Sequence, residues 1–337
     1  MRQRDVAMDT SVINAADHQR GVGSSLSRRA FVKGAGATLA AAGLIGVGAG
    51  SEQTRQVQVA AGQGAKGSSN MPWVEVEPGV QLYVQDWGEG KTIVLVHGWP
   101  SSQAIFEYQS LTLAQRGYRV VSIDQRGFGA SDKPWHGNDY DTWADDLGKV
   151  LQKLDLQDVA LAGYSMGGAV AMHYAATRRD RRVTKLVLLA AAGPALVEGP
   201  DYPHGLPREM FEGIIQGVIA DRAAFFHDFI PNLFHTPVSP AYAAWFERLV
   251  LAASPWATLR GAEEGRDRDL RSELGSISIP TRIMHGVHDF VVPFQLAEAE
   301  QRRLIPGATL VPFENSGHGL FVDERDKLVD ELAAFAG

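Results

Sequence analysis

The chain has no cysteine among its 337 residues, so disulfide bonds, thiolate metal sites and cysteine nucleophiles are excluded. It also lacks an excess of positive charge: 32 Lys and Arg residues face 39 Asp and Glu residues, and the net charge is −7. No basic surface for nucleic acid is therefore implied. The remaining composition, 45% hydrophobic and 21% charged, is that of a soluble globular protein with one large domain or a domain that carries an inserted subdomain.

The first fifty residues differ in kind from the rest. Ser27–Lys33 reads SRRAFVK, a twin-arginine pattern, and residues 34–50 carry no charge and consist mainly of Ala, Gly, Leu, Ile and Val. This order is typical of a twin-arginine signal, and the apolar run is too short and too rich in glycine for a membrane span. We expect residues 1–50 to be a signal region, cut after 47–49 or after 59–61. The mature protein is then exported to the periplasm or the cell exterior and has no stable membrane span.

From Trp73 onward the patterns of strands and helices alternate. Strand patterns, either continuous apolar runs or apolar–polar alternation, occupy residues 74–76, 80–84, 92–96, 118–123, 159–162, 186–189, 281–284 and 309–312. A turn at 77–79 joins the first two, which are expected to pair antiparallel. Helical patterns occupy residues 141–154, 168–177, 294–304 and 323–335. This alternation predicts an α/β fold with a mostly parallel, eight-stranded sheet flanked by helices.

Composition divides the chain into regions. Residues 51–71 are polar and rich in Gly and Ser, which is typical of a flexible linker. Residues 193–274 contain no apolar strand pattern, so we interpret them as a helical cap inserted into a core formed by 72–192 and 275–337. Most of the cap aromatics are assigned to the core of the cap, and a minority to the wall of a substrate pocket beneath it. These aromatics are Phe211, Phe225, Phe226, Phe229, Phe234, Trp245, Phe246 and Trp256.

One short motif points to chemistry. Residues 163–167 read GYSMG, the only G-x-S-x-G in the chain, directly after a predicted strand and directly before an Ala-rich helix. In this context the motif forms a sharp turn that exposes the serine hydroxyl, and Gly163 and Gly167 leave room for neighbouring backbone. Ser165 is therefore the predicted nucleophile.

A serine hydroxyl needs a base, and the base needs an acid that orients it. His318 lies in the loop between the last predicted strand and the last helix, and Asp289 lies in the loop after the preceding strand. Loops at the carboxyl ends of parallel strands converge, so both residues can reach Ser165. The chain order Ser, Asp, His is the one expected of a hydrolase with this elbow. His285 and His288 lie near Asp289 and are rivals of His318 as the base.

The reaction also needs donors for a developing oxyanion. One predicted donor is the backbone N–H of Met166, at the start of the helix after Ser165. The second is the N–H of Trp99 in the loop after the strand at 92–96, because Pro100 has no N–H. No metal-ligand spacing, phosphate loop or dinucleotide motif is found in the sequence, so no cofactor and no metal is implied.

From about Leu82 to the C-terminus the sequence resembles the cofactor-free bacterial haloperoxidase and esterase group of the α/β-hydrolase superfamily. The segments that carry the resemblance are HGWP at 97–100, GYRVV at 117–121, DQRG at 124–127, the serine elbow, GLP at 205–207 and MHG at 284–286. The resemblance implies the triad Ser165, Asp289 and His318, with Trp99 and Met166 as oxyanion donors. It also implies ester cleavage, and perhydrolysis in which hydrogen peroxide replaces water, without haem or metal. The elbow has Met166 where that group more often has threonine.

The function expected from the sequence is therefore that of a secreted serine hydrolase acting on a small-molecule ester, with hydrogen peroxide as an alternative acyl acceptor. Two alternatives stay open. The same triad serves amide or lactam hydrolysis, and the cap decides between these substrates. A relative that binds a ligand without catalysis is the alternative from another class. Dehalogenases and epoxide hydrolases are disfavoured, because their nucleophile is an aspartate at the position of Ser165.

Overall fold

The computed structural model describes residues 72–337. The predicted signal region at 1–50 and the predicted linker at 51–71 lie outside the described residues. The strands are β1 (Trp73–Glu77), β2 (Val80–Trp87), β3 (Lys91–Val96), β4 (Tyr118–Ile123), β5 (Val159–Tyr164), β6 (Val183–Leu189), β7 (Thr281–Gly286) and β8 (Thr309–Phe313).

All eight strands form one sheet in the order β1-β2-β4-β3-β5-β6-β7-β8. The pairs β1–β2 and β2–β4 are antiparallel, and every pair from β4 to β8 is parallel. The predicted fold class, an α/β fold with a mostly parallel sheet of eight strands, is therefore confirmed. The parallel strands all point their carboxyl ends to the same edge of the sheet, and this edge carries the site described below.

Helices cover both faces of the sheet. They are α1 (Glu107–Gln115), α2 (Tyr140–Lys153), α3 (Met166–Thr177), α4 (Arg208–Phe229), α5 (Pro240–Leu251), α6 (Pro255–Asp267), α7 (Arg302–Leu304), α8 (Leu320–Asp323) and α9 (Arg325–Ala336). Alternate residues of β3 serve opposite faces: Val94 and Val96 pack with the buried side chains of α2 and α3, whereas Ile93 and Leu95 pack with those of α1 and α9. Such continuous burial explains why the central strands are apolar throughout. None of the described helices is both long and apolar enough to cross a membrane.

The stretch 193–274 contains α4, α5 and α6, which lie between β6 and β7 in the chain. Helix α6 is hydrogen-bonded to the core: the Trp256 indole donates to the Trp135 carbonyl (2.6 Å), and the Glu264 carboxylate accepts from the Tyr140 N–H (3.1 Å). The Trp135 and Trp256 rings are also stacked, with centroids 4.1 Å apart. Helix α4 is kinked at Asp221, where φ is −155° and ψ is 92°.

Candidate active site

Ser165 alone makes the turn between β5 and α3, because β5 ends one residue before it and α3 begins one residue after it. Its backbone has φ 52° and ψ −120°, a conformation that costs a non-glycine residue about 1–3 kcal/mol. Four backbone hydrogen bonds hold it there, one of them from the Ala169 N–H to the Ser165 carbonyl (3.1 Å). The Ser165 N–H donates to the Leu189 carbonyl (2.9 Å), and the Ser165 carbonyl accepts from Gly168 (2.8 Å) and Ala192 (2.9 Å). The strained turn is therefore fixed by β6 and by the start of α3.

Three glycines around this turn have no room for a side chain. A Cβ on Gly163 would run into the backbone of Gly167, and a Cβ on Gly167 would run into the His97 carbonyl. On the facing loop, a Cβ on Gly98 would lie 2.8 Å from the Cβ of Ser165. The glycines at 163 and 167 thus have the steric role expected from the motif, and Gly98 has a similar role that the motif does not reveal.

The structure brings the predicted nucleophile, base and acid together. His318 Nε2 lies 2.9 Å from Ser165 Oγ, and His318 Nδ1 lies 2.8 Å from Asp289 Oδ2. All three residues are buried. Because a carboxylate only accepts hydrogen bonds, Nδ1 of His318 carries a proton and Nε2 is free to accept the proton of the serine hydroxyl.

The Asp289 carboxylate is surrounded by donors. Oδ1 accepts the backbone N–H groups of Val291 and Val292, both at 2.8 Å, and Oδ2 faces His285 Nε2 at 3.1 Å as well as His318. Burial alone raises the pKa of Asp289, but the charge on His318 and the hydrogen bonds from His285 and His318 outweigh it and hold the pKa below its usual range. The carboxylate is therefore ionised wherever the protein is folded near neutral pH.

Neither rival histidine is placed to act as the base. The His285 ring is fully buried, and its Nε2 faces Asp289 and the Val292 carbonyl rather than Ser165. The His288 ring is exposed and stacks on His235 with centroids 4.1 Å apart. Among the described residues, His318 is the histidine that contacts Ser165 Oγ.

The two predicted oxyanion donors lie on either side of Ser165. Met166 is the first residue of α3, so its N–H has no partner within the helix. The backbone N–H of Trp99 makes no hydrogen bond to the described residues, while the Trp99 indole donates to the Thr258 carbonyl of α6 at 2.7 Å. Their role as donors to an oxyanion stays a prediction.

His97 holds the loop that carries Trp99. Its Nε2 accepts the Gln125 N–H at 3.1 Å, so its Nδ1 carries the proton and donates to the Gly98 carbonyl at 2.8 Å. Burial lowers the pKa of His97, and the charge of Asp124 and the bond to Gly98 oppose this only in part. His97 is therefore a neutral structural residue with a fixed tautomer.

A cavity of about 230 Å³ opens above Ser165 and beneath the cap. Apart from His318, no titratable acid or base of the Asp, Glu, Lys, Arg or His type is found among the described residues that line it. Polar groups on its wall are few: besides Ser165 and His318 they are Ser101, Tyr140, Tyr164, Asn232 and the Trp99 indole. Of the eight cap aromatics, Phe211, Phe229 and Phe246 lie on the wall, which agrees with the expected minority.

The mouth of this cavity is apolar as well. Phe290, which directly follows Asp289, is 78% exposed, and Met210 at the start of α4 is 47% exposed. Both side chains line the cavity. Large apolar side chains held in water at the entrance of a pocket are typical of a surface that binds an apolar ligand.

The comparisons with known proteins agree with this architecture. Residues 91–325 match the family model described as the alpha/beta hydrolase fold. The chain is 43% identical to the AB hydrolase superfamily protein YisY of Bacillus subtilis, over 78% of this chain and 98% of that protein. It is 32% identical to the non-heme chloroperoxidase CPO-A1 of Kitasatospora aureofaciens, over 76% of this chain and 95% of that protein. The esterase EaEST of Exiguobacterium antarcticum superposes with a TM-score of 0.76 at 38% identity, over 78% of this chain and 98% of that chain.

The chain therefore belongs to the α/β-hydrolase family and is an enzyme of that class. Within the family it falls in the group of cofactor-free haloperoxidases and esterases, as the resemblance of its motifs implied.

Proposed function

We propose that the protein is a serine esterase that cleaves neutral, apolar carboxylic esters through an acyl-enzyme on Ser165. The observation that carries this proposal is the continuous path of hydrogen bonds from Ser165 Oγ through His318 to Asp289, at the floor of an apolar cavity. A nucleophile, a base in the correct tautomer and an ionised acid are the parts that acyl transfer requires.

In the proposed mechanism, Ser165 Oγ attacks the ester carbonyl carbon while its proton passes to His318 Nε2. The carbonyl oxygen becomes an oxyanion, which accepts hydrogen bonds from the N–H groups of Trp99 and Met166. His318 then gives its proton to the leaving alcohol as the ester C–O bond breaks. Water then attacks the acyl-enzyme and gives a proton to His318 Nε2, and His318 passes that proton to Ser165 Oγ as the bond between Oγ and the acyl carbon breaks and the carboxylic acid leaves. Asp289 stays ionised throughout and stabilises the imidazolium of His318.

The cavity wall supports the choice of a neutral substrate. An ionised substrate group inside it would have no charged partner on the wall apart from His318 when that ring is protonated, and an unpaired charge removed from water is strongly disfavoured. Apolar acyl groups gain instead from burial against the side chains of α4 and the turn that follows it. Esters fit this wall better than peptides, whose amide groups need hydrogen-bond partners.

The test is turnover of p-nitrophenyl esters of increasing chain length by the mature protein. We expect hydrolysis, with kcat/KM rising from acetate to medium-length acyl chains and low rates for esters that carry a charge next to the carbonyl. If no ester is hydrolysed but p-nitroanilides or lactams are cleaved, the substrate of the enzyme is an amide and not an ester. Binding of esters without turnover of either class would favour a ligand-binding protein without catalysis.

A second activity is favoured by the similarity to a non-heme chloroperoxidase. We propose that hydrogen peroxide also attacks the acyl-enzyme, which releases a peracid and restores the Ser165 hydroxyl. The peracid then oxidises halide in solution, outside the cavity. We expect bromination of a reporter dye only when acetate, peroxide and bromide are all present. Bromination that persists without a carboxylic acid would contradict this route.

We further propose that the protein is exported by the twin-arginine route, on the basis of the pattern at Ser27–Lys33 and the uncharged run after it. Replacing both Arg28 and Arg29 by Lys should keep the full-length chain in the cytoplasm. The wild type should be found outside the cytoplasm with a shortened N-terminus, measurable by mass spectrometry of each fraction.

A further inference from the structure

His285 is a buried histidine that the proposed mechanism does not use. It lies near the end of β7, and its side chain is fully shielded from solvent. Its Nε2 lies 2.9 Å from the Val292 carbonyl oxygen and 3.1 Å from Asp289 Oδ2. Within the described part of the chain its Nδ1 has no hydrogen-bond partner.

These neighbours fix the tautomer of His285. A carbonyl oxygen and a carboxylate oxygen are both acceptors, so Nε2 must carry a proton. A second proton on Nδ1 would be a buried donor without an acceptor, which is costly. The Nε2–H of His285 is therefore hydrogen-bonded to the Val292 carbonyl and lies close enough to Asp289 Oδ2 to interact with it.

We propose that His285 is a positioning residue of the active site, which donates a second hydrogen bond to the carboxylate oxygen that holds His318. The proposal rests on the proposed function, because it assigns His285 a part in orienting the base of that reaction. It differs from a purely structural role, because His285 Nε2 lies 3.1 Å from Oδ2, the atom that also accepts from His318 Nδ1. Asp289 Oδ1 is already held by two backbone N–H groups and needs no further support.

The bond has a predictable effect on the base. A donor to Oδ2 spreads the negative charge of the carboxylate and weakens its attraction for a protonated His318. His318 then gives up its proton more readily, and the neutral form that accepts the Ser165 proton persists to lower pH. Removal of the donor makes Oδ2 more basic, so the acid limb of the pH–rate profile should move to higher pH.

The other charged and titratable groups around the pair keep their contacts in such a variant. The Asp323 carboxylate accepts from the backbone of Gly317 (2.9 Å), and the Glu324 carboxylate accepts from the Ser316 hydroxyl (2.8 Å). The Tyr164 ring lies over His318 with centroids 5.0 Å apart, and burial raises the pKa of its phenol, so it stays neutral.

The remaining groups nearby are the stacked pair His235 and His288, on the outer side of the loop. Neither of them is hydrogen-bonded to Asp289 or His285 among the described residues. A change at His285 should therefore act through Asp289.

Two substitutions distinguish the effect of the N–H donor of His285 from the effect of its ring. His285→Phe keeps a ring of similar shape and removes the N–H, while His285→Gln places an amide N–H near the position of Nε2. The matched control is His288→Gln, three residues further along the chain, in the loop after β7, and without a side-chain bond to Asp289. If His285→Phe does not fold, His285→Met serves as a second variant without a donor.

The first measurement is the pH dependence of kcat/KM with p-nitrophenyl butyrate. We expect the acid limb of His285→Phe to lie about 0.5 pH unit or more above that of the wild type, with kcat reduced about tenfold. His285→Gln and His288→Gln should stay within about 0.2 pH unit of the wild type. If His285→Phe lowers kcat by the same factor at every pH and the acid limb of its pH–rate profile does not shift, His285 has only a structural role and the proposal is wrong.

The second measurement does not depend on turnover. In the Ser165→Ala background, the carbon-bound imidazole protons of His318 are followed by NMR between pH 4 and 9 with and without His285→Phe. The titration midpoint should move to higher pH in the variant, and an unchanged midpoint would contradict the proposal. If the wild type hydrolyses no ester, the proposed function fails on the first measurement, while the NMR titration still decides the role of His285.

Discussion

The floor and the roof of the cavity are built in different ways. The floor consists of Ser165, Asp289 and His318 with the loop at 97–99, and directional hydrogen bonds and tight glycine contacts fix it. The roof consists of α4 and the turn at Ile230–Leu233, and the side chains it presents to the cavity are almost all apolar.

The hydrogen bonds of the roof lie mostly within the cap. Arg208 and Glu212 of α4 pair with Asp267 and Arg266 of α6, and Arg222 donates to carbonyl groups at the end of α5. In the proposed mechanism position matters on the floor, because a proton moves there between fixed atoms. Area and shape matter in the roof, where the proposed substrate is held by apolar contact. Substitutions in the two regions should therefore differ in kind.

The largest expected effect is at the centre of the floor. Ser165→Ala should lower kcat by about 10⁴-fold or more, because the hydroxyl is the proposed nucleophile. The free energy of unfolding should change by less than about 1 kcal/mol, since within residues 72–337 the removed oxygen is hydrogen-bonded to His318 alone. Steady-state kinetics and urea unfolding give the two numbers. A serine-directed phosphonate should label the wild type with one equivalent and leave the variant unlabelled. If the folded, unlabelled variant still hydrolyses the ester, a residue other than Ser165 is the nucleophile.

Crowding of the floor should have the next largest effect. In Gly98→Ala the new Cβ would lie 2.8 Å from Ser165 Cβ and 2.9 Å from the Tyr164 ring, so either the loop at 97–99 or the turn at Ser165 must shift. We expect kcat to fall about 100-fold, because a misplacement of about 1 Å at a reacting centre costs about that much.

The matched control for that substitution lies in the roof. Gly213 is in α4, and a Cβ there has nothing within 4 Å. Gly213→Ala should leave kcat unchanged and raise the free energy of unfolding by about 0.5–1 kcal/mol, since alanine is the better helix former. Equal losses of activity in the two variants would remove the distinction between floor and roof.

The fold could be predicted from the sequence where burial produces a clear pattern of apolar residues. The central strands are apolar runs because they are covered on both faces, and their bounds follow within about three residues from the sequence. Helix α1 escaped prediction because its buried face is partly polar. Gln109 donates to the Phe321 carbonyl and Ser110 pairs with Ser122, so no apolar periodicity marks this helix.

The parts of the candidate site that local motifs and strand ends define could be predicted from the sequence. Ser165, Asp289 and His318 each follow a strand at one edge of the sheet, and strand-end placement was enough to bring them together. Contacts that depend on packing between distant segments were missed. The Trp99 indole bond to Thr258 of the cap is one of them, and the constraint on Gly98 is another. His285 was noticed as a rival base, although its spacing of four residues from Asp289 places it beside the acid instead.

A smaller effect should sharpen the description of the roof and its mouth. Phe290→Ser removes an apolar side chain that is 78% exposed and lines the cavity. The substitution should therefore lower kcat/KM only for substrates that are long enough to reach the mouth. We expect kcat/KM for p-nitrophenyl decanoate to fall about tenfold, a loss of about 1.4 kcal/mol of apolar contact, while the value for the acetate stays within about twofold. Ile219→Ser on α4 is the control, since Ile219 is 59% exposed and does not line the cavity. An equal loss for both chain lengths would place Phe290 in the floor rather than at the mouth.

The smallest expected effect concerns His97, the buried histidine of the loop at 97–99. Burial lowers the pKa of His97 in the folded protein, whereas in the unfolded chain a histidine has a pKa of about 6.5. Between these two values the unfolded state binds more protons, so the free energy of unfolding rises with pH. The stability linked to His97 is therefore complete above about pH 6.5 and is lost as the pH falls toward the folded pKa, by at most about 1.4 kcal/mol per pH unit.

His97→Gln has no group that titrates in this range, so urea unfolding from pH 7 to pH 5 should show the difference between wild type and variant shrinking as the pH falls. Phe290→Ser changes no titratable group, and its difference from the wild type should stay constant over the same range. Parallel curves for His97→Gln would mean that His97 is not held neutral by the fold. The loop that presents Trp99 would then depend on contacts other than the two hydrogen bonds of this imidazole.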